Sequence, residues 1–388
     1  MTTEQRIAIQ LLKSAVTGEP ETLPERPPMR AVQELMLHQG VTTMGYVGAA
    51  NSNYPMEHPI MLCLLDFYCV ATLQSDHQIQ QIQKICDAFE ENGIDYMPVK
   101  GAIMKFLYPN HELRGMSDAD ILIREEQYSQ ICPIMTELGF VQSGESDHEY
   151  IWVHEHLKVE LHKRLMPTYN QDYYQYFGIG WDLAKIQNGH RWSMTNEDAF
   201  IYDFIHFAKH YRDAEGNCRF IVDLWVHLRS HPDLDMAYIR KEMQKMGMEA
   251  FFDNIMNLIH AWFYDGPWDD RTERITEALF NDNEQARKDA NLIAQNVRAE
   301  ENKGNAKLRP LQRVFPDREH MNWSYPKWKK VPLPIAWVMR WFHLVLFRRN
   351  VIQDRTSEKL VTKQEMENYR QDLKYVGLEF SNSIALPD

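Results

Sequence analysis

The feature that most restricts the fold is a change of hydrophobic period at Gly93. Upstream of it the pattern is helical. Thr2-Thr3 ahead of Glu4-Gln5 reads as a helix start, and Ile7, Ile9, Leu11, Leu12 and Val16 supply an apolar face. A proline-rich break (Pro20, Pro24, Pro27, Pro28) precedes a second helix over Arg30 to Gly40, and a long one runs from about Met61 to Asn92. Beyond Gly93 the period drops to two. Tyr96 to Val99 reads as a strand and Gly101 to Tyr108 as a short helix. Ala119, Ile121 and Ile123 then alternate with Asp118, Asp120 and Leu122. A helix over Glu125 to Leu138 and a hairpin of His148 to Val153 with Leu157 to Lys163 complete a compact α/β unit. Helical spacing returns at Asn196, most clearly in Glu197 to Tyr211 and Phe220 to Ser230, and a last helix covers about Thr362 to Val376. The expected organisation is an N-terminal helical region (1–92), a core (93–190) and a C-terminal helical domain (191–388).

A chain of 388 residues, 44% hydrophobic and 25% charged, has the bulk for such a multi-part globular fold and the composition of neither a disordered nor a fibrous protein. The formal net charge of -13 argues against a general nucleic-acid binder, which needs a basic footprint on phosphates. Cys63, Cys69, Cys86, Cys132 and Cys218 are scattered, with no CxxC pair, which points to a reducing compartment. The first residues carry Glu4, Arg6 and Lys13 with no long apolar run. The apolar stretch Leu333 to Phe347 is broken by Arg340 and His343 and is too short to span a bilayer. The expected location is cytoplasmic.

The chemistry concentrates on the alternating strand. Residues i and i+2 share a face, so Asp118 and Asp120 present two carboxylates together, which repel each other unless a cation lies between them. Glu160 stands alone between Val159 and Leu161. If its strand lies beside the first, three carboxylates converge, a donor set suited to Mg²⁺ or Mn²⁺. His162 shares the face of Glu160. An Asp-x-Asp pair alone is as often a surface strand end. The weight lies on the joint pattern of Lys100-Gly101, Arg114, Ser117-Asp118-Ala119-Asp120 and the later lone Glu160.

That joint pattern resembles the nucleotidyltransferase superfamily with a polymerase-beta-like core, and within it the bacterial family of uncharacterised nucleotidyltransferases. The resemblance is carried by Val99-Lys100-Gly101, Leu107-Tyr108-Pro109, Arg114, Ser117 to Ile123 and Val159-Glu160-Leu161-His162. It continues through His206, His210 and Phe220 to Leu224 and extends to Val314-Phe315-Pro316, Tyr325-Pro326 and Pro334 to Arg340. It implies an α+β fold whose mixed-sheet core is flanked by N-terminal and C-terminal helical regions. It also implies transfer of a nucleoside monophosphate from an NTP to a hydroxyl, with release of pyrophosphate. Asp118, Asp120 and Glu160 would be the catalytic and metal-binding carboxylates. Lys100, Gly101, Arg114 and Ser117 would bind nucleotide, Gly101 by letting backbone approach the triphosphate at a helix start. Where the superfamily usually has Gly-Ser or Gly-Gly, this chain has Gly101-Ala102, and Lys100 stands in as a cation.

His162, His206, His210 and Asp223 form a possible acceptor pocket. His206 and His210 lie one turn apart, and a buried histidine–Asp223 hydrogen bond is the plain alternative. The segment 303–349 is basic and rich in Trp and Pro, with eleven Lys and Arg against two acids. Packing on the core is favoured for it over a nucleic-acid or anionic-membrane surface. The expected partners are therefore an NTP and a small-molecule acceptor, with nucleic acid possible but not favoured. The rival readings are a toxin-like transferase acting on tRNA or protein, and a catalytically silent nucleotide- or partner-binding module.

Overall fold

The structure, a computed structural model, describes residues 1–155, 157–168, 170–281, 283–301, 315–316, 318, 321, 325, 328–347 and 361–379. It is an α+β fold in which a seven-stranded mixed sheet is set among helices. The N-terminal region is α1 (Thr3–Thr17), α2 (Met29–His38), α3 (Thr42–Asn51) and α4 (Pro59–Glu91). Thr2 and Gln5 cap α1 reciprocally, Gln5 N donating to Thr2 Oγ1 and Thr2 N to Gln5 Oε1, so the helix starts where Thr2-Thr3 places it. Helix α3 has no apolar stripe in its sequence because it is enclosed. A Cβ on Gly48 would lie 2.1 Å from the Leu11 carbonyl oxygen, so only glycine allows this approach to α1.

The core follows as β1 (Tyr96–Val99), α5 (Gly101–Met104), β2 (Asp118–Ile123), α6 (Tyr128–Glu137), β3 (Val141–Glu145), β4 (Glu149–His154), β5 (Leu157–His162), α7 (Gln171–Phe177), β6 (Ala184–Asn188) and β7 (Arg191–Met194). The strand order is β3-β4-β5-β2-β1-β7-β6. Strands β2 and β5 run parallel, with Asp120 opposite Glu160, while β1 pairs antiparallel with β2 and puts Val99 opposite Asp120. The sequence reading did not include β3 or the β6–β7 hairpin. The latter closes at Asn188-Gly189, where Gly189 has φ 53°, and β7 adds to the sheet beside β1.

Period-two alternation sorts the side chains of the central strands. Ala119, Ile121 and Ile123 of β2 and Leu157, Val159 and Leu161 of β5 enter one apolar core with Ile82, Ile85 and Phe89 of α4 and Ile131 and Met135 of α6. Asp118, Asp120 and Leu122, with Lys158, Glu160 and His162, take the other face. That face looks toward α8 (Asn196–Arg212) and α9 (Arg219–Ser230). These two belong to a larger core with α10 (Met236–Lys245), α11 (Glu249–Phe263) and α12 (Asp270–Leu279). Helices α13 (Glu284–Glu301), α14 (Leu333–Phe347) and α15 (Lys363–Tyr375) complete the described chain. Among the described residues no helix is long and apolar enough to cross a membrane.

Candidate active site

The β2–β5 register carries the site. It brings Asp120 beside Glu160, and Asp118 lies one step along the same face, opposite Lys158. Exposure rises along the row from 7% for the Asp120 side chain through 14% for Glu160 to 29% for Asp118, so the set runs from interior to mouth. Two ammonium groups and an imidazole separate the carboxylates. Lys158 Nζ bridges Asp118 Oδ2 at 2.9 Å and Glu160 Oε1 at 2.7 Å. Lys100 Nζ is 2.9 Å from Asp120 Oδ1, and His162 Nε2 is 2.7 Å from the same oxygen and 3.5 Å from Glu160 Oε2. Burial would raise the carboxyl pKa of Asp120, but Lys100 and His162 outweigh it and hold the value down at about 2. Burial likewise opposes ionisation of Glu160, and His162 and Lys158 pull its pKa below the usual carboxylate range. Both acids are therefore anionic at any physiological pH.

Lys100 reaches Asp120 from an unusual backbone. Its φ of 48° and ψ of -123° suit glycine far better than lysine. Such a conformation costs on the order of 1–3 kcal/mol and persists only where the surroundings enforce it. Next to it, a Cβ on Gly101 would stand 2.9 Å from Arg114 Nη1 and 3.2 Å from Met116 Cγ, so a side chain there would have to displace the arginine. Helix α5 is a single turn, continued by a 3-10 turn over Lys105–Leu107.

Across from the strands, α8 and α9 form the second wall of a cleft enclosing about 70 Å³. Lys100, Gly101, Arg114, Ser117, Asp118 and Asp120 line it from the core, and Asp203, His206, Arg219, Phe220 and Asp223 from the helices. Ser117 Oγ donates to Asp118 Oδ1 at 3.0 Å. Burial, reinforced by Lys100, holds the pKa of His206 well below its ordinary value, so its imidazole is neutral. His210 is one turn behind, its ring 4.5 Å from that of His206 and its Nδ1 3.1 Å from Glu215 Oε2. It is not a lining residue of the cleft.

Asp223 takes a different partner from the histidine considered above. Arg114 donates to it twice, Nε to Oδ1 at 2.9 Å and Nη2 to Oδ2 at 3.1 Å, and the Tyr108 hydroxyl donates to Oδ1 at 2.7 Å. This joins the loop before β2 to α9 and leaves Arg114 Nη1 against Gly101.

Three contributors escaped the sequence reading. Lys158 carried a signal, since it is two residues before Glu160 on one strand and must share its face. Asp203 also carried one, lying three residues before His206 on α8; its Oδ2 is 3.1 Å from His227 Nδ1. Arg219 carried none. Its Nη1 donates to the Gly115 carbonyl at 2.7 Å, and its buried Nε has no hydrogen-bond partner among the described residues.

A mixed sheet bearing an Asp-x-Asp pair on one strand and a glutamate on its parallel neighbour, facing a helical wall, places the chain in the nucleotidyltransferase class. Residues 29–264, more than half of the chain, match the model of the family described as uncharacterised nucleotidyltransferase, and the chain belongs to that family. No curated protein and no solved structure gives a match. Families of this class typically use a divalent metal, and the donors here fit one. Asp120, Glu160 and His162 offer ligand atoms all within 4.8 Å of one another. Carboxylate oxygens are the ligands of hard cations, and an imidazole among them is better tolerated by Mn²⁺ than by Mg²⁺. The Lys158 ammonium between Asp118 and Glu160 is itself a stand-in cation in that position.

Proposed function

We propose that the protein transfers a nucleoside monophosphate from an NTP to a hydroxyl of a small-molecule acceptor, with Mg²⁺ or Mn²⁺, and releases pyrophosphate. The observation that carries this reading is the parallel β2–β5 register, which lines up Asp118, Asp120 and Glu160 on one face. These three residues would hold the metal, with His162 as the donor that orients Asp120. Divalent ions held there would activate the acceptor hydroxyl and neutralise the triphosphate. Lys158 keeps the carboxylates of Asp118 and Glu160 from repelling each other, and a divalent cation held there would take over that neutralisation.

The phosphates take the cationic side of the cleft. Lys100, Arg114 and Arg219 line the cleft together with Gly101, and Arg114 Nη1 lies against that glycine. The enclosed part of the cleft, about 70 Å³, is small beside a whole NTP, which would put the phosphates and cation inside and the nucleoside and acceptor at the mouth. His206, a neutral imidazole on the helical wall, would accept a hydrogen bond from the acceptor.

The test is incubation of the purified protein with Mg²⁺ or Mn²⁺ and labelled NTPs, alone and with small-molecule fractions of a lysate. Metal-dependent label transfer in the wild type and none in Asp118→Ala is expected. Unchanged transfer in Asp118→Ala sinks the reading. So does a wild type that neither transfers label nor gains thermal stability from an NTP with metal.

A further inference from the structure

Helix α14 carries apolar residues on two sides, and among the described residues only one side is packed. On the inner side Ala336 and Arg340 are buried, and the Trp337 indole donates to the Pro316 carbonyl at 2.6 Å. Just before the helix, Tyr325 and Trp328 stack at 4.3 Å, and both meet the His343 ring edge-on. The outer side shows Ile335, Val338, Met339 and Phe342, all exposed, Phe342 at 65%. Their spacing of i, i+3, i+4 and i+7 makes one continuous stripe along the helix. An apolar stripe of this regularity left in water marks a binding surface.

The charge of the sequence around the helix says what covers the stripe. Lys329 and Lys330 are exposed a few residues before the helix, and Arg348 and Arg349 follow it in sequence. The stretch 303–349 holds eleven Lys and Arg against two acids in a chain whose net charge is -13. A basic, apolar-faced element on an otherwise acidic body is complementary to an anionic lipid surface, which attracts this element and repels the rest. The exposed apolar residues of α4 lack that complement. Leu62, Val70 and Leu73 share their helix surface with the exposed acids Asp66 and Asp76. A 15-residue helix is about 22 Å long, short of the roughly 30 Å of bilayer hydrocarbon, so α14 can lie in an interface and cannot span one.

We infer that α14 docks the protein on anionic membranes. It lies in the interface plane with Ile335, Val338, Met339 and Phe342 among the acyl chains and Lys329 and Lys330 at the headgroups. This inference does not depend on the transferase reading. The packing role favoured from sequence accounts only for the inner face.

The experiment is flotation of the full chain with phosphatidylcholine vesicles, without and with phosphatidylglycerol as the anionic component. The wild type is expected to float with the anionic vesicles and to lose binding as salt rises. Phe342→Asp should weaken binding by about tenfold or more. The double change Lys329→Gln, Lys330→Gln should weaken it by about thirtyfold on anionic vesicles and little on neutral ones. All three residues are exposed, and an unchanged thermal melt confirms that the variants fold. No binding to anionic vesicles at low salt overturns the inference, as does Phe342→Asp floating like the wild type. Two further results reassign the surface and overturn it equally. One is a dimer that Phe342→Asp dissolves, without lipid binding; the other is retention of tRNA without lipid binding.

Discussion

Two buried aspartates in the same cleft are paired to cations in opposite ways. Asp223 is closed off. A planar guanidinium meets both of its oxygens, a tyrosine hydroxyl adds a third bond, and the charges match one to one with each side chain about 8% exposed. Asp120 is one of three acids sharing two lysines and an imidazole, in a row that opens toward solvent at Asp118. In the first arrangement the carboxylate is matched by its own guanidinium; in the second, three carboxylates share two ammonium groups and an imidazole in a row open to solvent. The same pairing chemistry thus makes a closed joint in one place and an open carboxylate row in the other, and exposure tells them apart.

The sharpest way to break this contrast is at the joint. Asp223→Ala leaves Arg114 buried and uncompensated, which should cost about 3–5 kcal/mol of stability. Urea unfolding reads this directly. A loss under about 1 kcal/mol would mean that Asp223 is not a structural joint, and it would then rank with the site residues.

Next in size is Asp120→Asn, which keeps the shape and removes the charge. Transfer should fall by more than the about 100-fold that even outer-shell partners of metal sites cost. The thermal shift given by Mn²⁺ with NTP should vanish while the metal-free protein remains folded. Retention of that shift would place the metal elsewhere.

Most of the sheet half of this contrast was legible in advance, and the joint was not. On a strand, identity and spacing alone fix the face, so Asp118-x-Asp120 and Glu160-x-His162 could be set toward a common side before any fold was known. The same rule sets Lys158 on the face of Glu160, two residues before it. Helical residues share a face every three or four positions, but which face meets the cleft depends on packing. His206 and His210 looked equivalent, yet only His206 lines the cleft. Arg114 and Asp223 are 109 residues apart, and no local pattern joins them. The β6–β7 hairpin carried a turn signal in Asn188-Gly189, but its strands are polar and short, and they gain their place by pairing with β1. The two faces of α14 were unreadable for a related reason: a helix apolar on both sides gives no hint of which side the protein keeps.

A smaller effect tests the pairing of Asp120 by pH. Because Lys100 and His162 hold the folded-state value of Asp120 at about 2, below its ordinary 3.8, the pairing stabilises the folded state fully above about pH 4. That contribution, on the order of 2 kcal/mol, drains away as the pH falls toward 2. Glu160, also depressed, adds in the same direction. Metal-free wild type should therefore lose stability more steeply than Asp120→Asn between pH 4 and pH 2. Parallel denaturation curves for the two proteins across that window would remove Asp120 from the charge network.

The smallest expected effect tests the surplus of charge itself. Lys158 is more than a third exposed, and its two contacts lie at the open end of the carboxylate row. Replacing it by methionine keeps the aliphatic stem and deletes the ammonium, so stability should change by under about 1 kcal/mol, the usual range for an exposed pair. Metal binding should change in the opposite sense. If the ammonium holds the place of a divalent cation, its removal spares the metal a competitor and leaves Asp118 and Glu160 with unneutralised charge. Mn²⁺ should then bind Lys158→Met about fivefold tighter than wild type by calorimetry, the factor that about 1 kcal/mol of released pairing supplies. If the lysine is instead a fixed part of the phosphate site, metal affinity stays level and NTP affinity falls. The sign of the change in metal affinity thus decides whether Lys158 belongs with the guanidinium of Arg114, as a permanent partner, or yields its place when the site is used.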